Sequence, residues 1–157
     1  MKLTNFSFGG TSATITNLSL IIGLGSTDVP KATIVASLFI IAVADNISDS
    51  LGIHIYKESE SCGMSESFIS TVSNFTTRLL VSLVFIALVL YFPIQQAQVL
   101  SIAWGLLTLS LTSYLIAVRN RQKPFLEILK HLGIAVLVIA ASKYIGVFIH
   151  AHSAMPH

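Results

Sequence analysis

Asp45 and Asp49 are the residues of this chain whose type and spacing most plainly call for chemistry. They lie in the stretch Ala42-Val43-Ala44-Asp45-Asn46-Ile47-Ser48-Asp49-Ser50-Leu51-Gly52-Ile53-His54, which otherwise reads as part of a membrane-spanning helix. A charge near a bilayer centre costs about 3 kcal/mol on insertion scales, so acids there face a polar interior and mark an ion or proton path. On a helix the two aspartates stand one turn apart on one face. Ser48, Gly52 and Tyr56 continue that face, and Asn46, Ser50 and His54 form the adjacent stripe. Carboxylate, hydroxyl and amide oxygens suit manganese, magnesium or ferrous iron better than copper or zinc. The rival reading places Asp49 near the headgroups and lets Asp45 cap a kink or hydrogen-bond a neighbouring helix.

The elements that must position these acids are membrane helices. The chain has 157 residues, 54% of them hydrophobic and only 10% charged, against roughly a quarter charged in a soluble domain. Mean hydropathy is +0.81. Apolar runs predict five spans over residues 8–27, 31–56, 68–92, 97–118 and 126–150, each near the ~20 residues needed to cross. The fold expected is an all-α integral membrane protein, one five-helix domain over residues 1–157. Residues 1–8 are short and polar, and the first apolar run lacks a basic n-region and a small-x-small exit, so no cleavable signal peptide is expected. A net charge of +2 with scattered Lys and Arg argues against nucleic acid as a partner. A single cysteine, Cys62, excludes an intrachain disulfide.

The first span is unusually polar, and Ser12, Thr16, Ser19 and Gly23 recur on it at helical spacing, a face suited to close helix packing or to lining a polar cavity. Pro30 suits the first turn of the second helix, and residues 92–96, around Pro93, break the third helix from the fourth. Arg78 in the third span is expected to snorkel or to pair with the acidic loop before it. Lys143 lies near the far end of the fifth span, a poor counter-ion for the aspartates.

The loop between the second and third spans gathers Glu58, Glu60, Cys62, Met64 and Glu66, with His54 one turn before it. These are possible accessory ligands, but their spacing matches no closed metal motif, which favours a solvated interfacial loop. Lys2, Lys57, Arg119, Arg121 and Lys123 fall on one side of a five-span topology and Lys31 alone on the other, so the N-terminus is expected in the cytoplasm and the C-terminus opposite. At 1.5 Å per residue Asp45 lies about 20 Å along the second helix from its outer end, at a depth similar to that of Ser12, roughly one or two turns inside the cytoplasmic end of the first. Thr16 and Asn17 are therefore expected to face Asp45 and Asp49. The site residues expected are Asp45, Asp49, Ser12, Thr16, Asn17 and Asn46.

The order of residues resembles the vacuolar iron transporter family over nearly the whole chain. That family's first helix follows a Phe-Gly-x-x-Asp-Gly-x-x-Thr-x-x-x-x-x-x-Gly type of pattern, and residues 8–23, from Phe8-Gly9 through Thr16 to Gly23, are similar. Ser12 and Ala13 stand where the family has Asp-Gly. The second helix has Ser48-Asp49-Ser50-Leu51-Gly52-Ile53-His54 in place of Ser-Met-x-x-Gly-x-Tyr, so Asp49 takes the methionine position. The resemblance implies a two-fold homodimer of five-helix protomers, carrying ferrous iron or manganese as cargo rather than as a resident cofactor, with proton exchange. It also implies a prokaryotic type of inner-membrane protein lacking the family's long metal-gathering insertion, of which residues 57–67 are at most a remnant.

In such a dimer two copies of Asp45 and Asp49 cannot all stay ionised without a cation, so metal binding would release protons and the reverse. The alternative is a non-transporting membrane scaffold or sensor with a structural or degenerate ion site. An enzyme is not expected: two acids on one helix face leave no opposed carboxylate, and neither an Asp-x-x-Asp-Gly nor a Gly-x-Gly-Asp pattern occurs.

Overall fold

Apolar runs of this length, with Pro only between them, leave the chain one way to satisfy its backbone in lipid, which is to coil each run into a helix. A computed structural model describes the backbone of residues 3–61 and 63–153 and the side chains of residues 8–61 and 63–152. It is all-helical, in the order α1 (Leu3–Leu24), α2 (Lys31–Ser59), α3 (Met64–Tyr91), α4 (Ile94–Arg119) and α5 (Pro124–Ser153). By length and composition α2, α3, α4 and α5 can each cross a membrane, and Phe8–Leu24 of α1 is a shorter apolar helix. Four such helices fit an integral membrane protein.

The helices overrun the predicted spans at most ends, because polar residues just beyond an apolar run keep helical geometry at the interface. α2 continues through Lys57 to Ser59, and α3 already begins at Met64. Pro30 is the N-cap of α2 rather than a residue of its first turn, and Pro93 caps α4 likewise, so Ile94, Gln95 and Gln96 belong to α4 and not to the break. Both prolines use their carbonyls, which accept from Thr33 N at 2.9 Å and from Ala97 N at 2.8 Å. The α4 end closes with Arg121 at φ 54°, where Gln122 N donates to Ala117 O at 2.9 Å and Arg121 N to Val118 O at 3.3 Å. This is the double bond that satisfies a helix's last carbonyls. Lys31 does the same for α3, its Nζ reaching Leu90 O at 2.8 Å and Phe92 O at 3.1 Å.

Short connections make successive helices antiparallel, and α1 is the central one, packed against α2, α3, α4 and α5. Its small residues let neighbours close in. A Cβ built on Gly146 of α5 would stand 2.2 Å from Gly23 O, and one on Gly105 of α4 would stand 2.5 Å from Leu18 Cδ1. Leu18 can rotate away; the Gly23 backbone cannot. Gly146→Ala is therefore expected to push α5 off α1 and to cost about 1–3 kcal/mol, whereas Gly133→Ala, whose Cβ meets nothing within 4 Å, is expected to be neutral or mildly stabilising. Resistance to unfolding in detergent measures the difference, and equal stability of the two variants would refute the backbone contact.

The interior is divided by depth. Toward the end where α2 begins and α3 finishes, the core is apolar: Leu18, Ile21, Ile34, Leu38, Ala42, Phe85, Ile86 and Val89 pack together. Toward the α2–α3 connection the buried residues of the same helices turn polar, with Thr14 and Asn17 on α1, Asn46 and Ser50 on α2, and Ser67 through Ser82 on α3. The change falls at one level on all three helices, between Asn17 and Leu18, Ala42 and Asn46, and Ser82 and Phe85. That boundary is where the site lies.

Candidate functional site

Asp45 occupies the middle of α2 and Arg78 the middle of α3, each about 20 Å from either end of its helix at 1.5 Å per residue. Arg78 does not snorkel and does not reach the acidic loop, contrary to what its sequence position suggests. It is fully buried, at 0% exposure. Its guanidinium pairs with both aspartates, Nη2 with Asp45 and Nη1 with Asp49, while Nε donates to Asn46 Oδ1 at 2.9 Å. From α1, Ser12 Oγ donates to Asp49 Oδ2 at 3.2 Å. α2 and α3 thus meet on one planar cation whose fixed fork of donors matches paired carboxylates, and α1 joins them through Asp49.

One guanidinium against two ionised carboxylates leaves one formal negative charge over. The two acids are also not sealed in: their side chains are 37% and 33% exposed. A site with surplus negative charge and an open oxygen face can attract a cation. A fully buried neutral network cannot do so.

The remaining expected site residues divide into two groups. Asn46 joins the cluster through Arg78, and its stripe holds as read: Ser50 accepts from Asn74 Nδ2 at 3.2 Å and His54 Nδ1 lies 3.3 Å from Thr71 Oγ1 on α3. Asn17 turns instead to α3, where its Nδ2 donates to Ser82 Oγ at 2.9 Å, and also to Ala13 O at 2.7 Å. Thr16 lines an open groove of about 920 Å³ between α1, α2 and α5, together with Ile15, Ser19, Gly23, Ile41 and Gly146. Ser12 is the first-helix residue that bonds to an aspartate; Thr16 and Asn17 bond elsewhere or line the groove.

The accessory residues form separate pairs. His54 Nε2 lies 3.4 Å from Glu58 Oε1 within α2, and Lys57 Nζ lies 3.8 Å from Glu66 Oε1 across the turn. Glu60 and Met64 are exposed, and Cys62 lies outside the described residues. Among the described residues no group of three or more His, Cys, Asp or Glu is arranged to hold a metal ion. Exposed ligands without fixed geometry contribute little. Replacing Glu58, Glu60, Cys62, Met64 and Glu66 together by Gln or Ser is therefore expected to change cation affinity by no more than a few-fold in an equilibrium binding assay; a tenfold loss would show that the loop gathers metal.

Arg78 is the functional residue that the sequence reading misplaced. The signal was present: it is the one basic residue deep inside a long apolar helix, flanked by Ser73, Asn74, Thr77 and Ser82 at helical spacing. That polar stripe requires a buried face rather than a lipid-facing one. Comparison with family models, with curated proteins and with solved structures found no match.

Proposed function

We propose that this chain is a membrane transporter of divalent metal cations, ferrous iron or manganese, with Asp45 and Asp49 as its charged ligands. The observation that carries this reading is the half-open pair of carboxylates held at the middle of α2 by a single buried guanidinium. An arriving cation takes the open face of the pair and weakens its hold on Arg78, whose Nε remains on Asn46. Protons compete for the same oxygens, so loading and release are coupled to proton movement. Ser12 adds a neutral oxygen to Asp49.

Five spanning helices, with α1 included, and a two-fold dimer complete the reading. The groove along α1 is lined by Thr16, Ser19 and Gly23 between α2 and α5, which suits a second copy. The N-terminus is assigned to the cytoplasm on the distribution of Lys and Arg.

The test is metal-dependent quenching of a dye trapped in proteoliposomes, with size-exclusion profiles as the folding control. Uptake by the wild type and its loss in Asp49→Asn support the reading; uptake unchanged in Asp49→Asn and in Asp45→Asn removes the site. One observation favours the second reading, a scaffold or sensor that transports nothing: Arg78 already occupies both carboxylates. On that reading no uptake is seen with the wild type at any metal concentration.

A further inference from the structure

The polar half of α3 holds more unpaired hydrogen-bonding capacity than a membrane interior tolerates. Ser67, Ser70, Ser73 and Asn74 are between 0% and 6% exposed. Their Ser67 Oγ, Ser70 Oγ, Ser73 Oγ and Asn74 Oδ1 atoms have no hydrogen-bond partner among the described residues, and the same is true of Asn46 Nδ2 on the facing helix. Leaving a buried polar atom unpaired costs about 1–3 kcal/mol, so a row of them is satisfied by water in a native protein.

The spacing supports this. Ser67, Ser70 and Ser73 follow one another three residues apart and Asn74 precedes Arg78 by four, hence steps of about 4.5–6 Å along the helix. That is too far for direct hydrogen bonds and about two hydrogen-bond lengths, the span of one bridging water. Gly9 widens the same region on the α1 side, since a Cβ there would stand 2.6 Å from Asn74 Oδ1 and 3.2 Å from Arg78 Cγ.

The row also has direction. It begins one turn inside the start of α3, runs past Ser50 and Asn74 to Arg78, and ends where Phe85, Ile86 and Val89 close the helix interface with apolar side chains. Near its entrance stand His54 with Glu58 and Lys57 with Glu66. Arg78 joins this row to Asp45 and Asp49, whose side chains are partly exposed.

We propose that the α2–α3 interface is a hydrated proton path, running from the α2–α3 connection along Ser67, Ser70, Ser73 and Asn74 to the Arg78–Asp49–Asp45 cluster. Protons reach the carboxylates from the Arg78 side, and the open face of the pair is left to a cation. The use of this path in exchange transport rests on the function proposed above; the path itself does not.

It is tested without metal. The chain has three arginines, and Arg119 and Arg121 are exposed, so hydrogen–deuterium exchange at arginine side chains, read by nitrogen-15 NMR in nanodiscs, carries its own control. Arg78 Nε–H is expected to exchange within minutes in the wild type, and at least tenfold more slowly in Ser70→Val, which sets an apolar side chain across the row. Ser82→Ala, past Arg78, is expected to leave the rate unchanged. If Ser70→Val does not fold, the Ser70→Ala, Ser73→Ala pair removes two hydroxyls at little steric cost and is expected to slow exchange several-fold. Protection of Arg78 for hours in the wild type would overturn the path. So would rapid exchange that neither the Val nor the Ala variants slow, because water would then arrive from the groove. Failure of metal uptake alongside the expected exchange pattern would refute the transport reading and leave the path standing.

Discussion

Arg78→Met is expected to destabilise the protein by about 1–3 kcal/mol, because it removes the bonds of a buried guanidinium and leaves two carboxylates, each about a third exposed, without their counter-ion. Met matches the length of the arginine stem and packs against the same neighbours, so the loss is electrostatic rather than a cavity. Asp45 and Asp49 would then face each other one turn apart with no cation between them, and Asn46 Oδ1 would lose its donor. For a chain of this size the change corresponds to a fall of roughly 2–10 °C in the unfolding midpoint. Arg78→Lys is expected to lie between, since one ammonium cannot reproduce the directed bonds to Asp45 and Asn46 together with the ion pair to Asp49. The decisive comparison is Arg78→Met combined with Asp45→Asn and Asp49→Asn. Replacing a whole buried ionic cluster by neutral groups is often neutral or stabilising, so the triple variant is expected to regain most of the lost stability. Thermal unfolding in detergent, followed by fluorescence of the single tryptophan Trp104, gives the values. An Arg78→Met protein as stable as the wild type would show that the cluster is not the centre of the α1–α2–α3 interface.

Asp49→Asn is expected to lower divalent-cation uptake by about 100-fold or more, since even residues that only support metal ligands cost 10–100-fold in affinity when changed. Folding should survive. With one aspartate removed, Arg78 still faces Asp45 and the cluster becomes one cation against one anion, with no stranded charge. Asp45→Asn is expected to do nearly as much to uptake, by the same argument with Asp49 as the remaining partner. Changing both acids is different, because it leaves a buried guanidinium without a carboxylate; that pair of substitutions is informative only together with Arg78→Met. Ser12→Asp is the complementary test. Ser12 already touches Asp49 Oδ2, so an acid there adds a third carboxylate to the open face and is expected to tighten cation binding and slow release. Uptake rates and apparent affinities from the proteoliposome assay read all of these. A transport rate indifferent to charge at positions 45 and 49 would leave the carboxylates as packing and capping groups only.

Much of this molecule is legible in its sequence because membrane helices obey local rules. Twenty apolar residues in a row must be helical in lipid whatever surrounds them, so five elements and their antiparallel order follow from the order of apolar runs, Pro30, Pro93 and Pro124. The helical repeat alone puts Asp45 and Asp49 on one face and Asn46, Ser50 and His54 on the next, and the structure keeps that division. What periodicity does not carry is the rotation of one helix against another, because lipid and protein are equally apolar neighbours for most side chains. Only the tertiary structure decided that the polar stripe of α3 turns inward to meet α2, that Arg78 therefore becomes the counter-ion of both aspartates, and that Asn17 turns to Ser82 while Ser12 alone among the first-helix candidates bonds to an acid. The buried charge of Arg78 is held because α2, folded back along α3, brings it partners, and those partners lie 29 to 33 residues away in the chain.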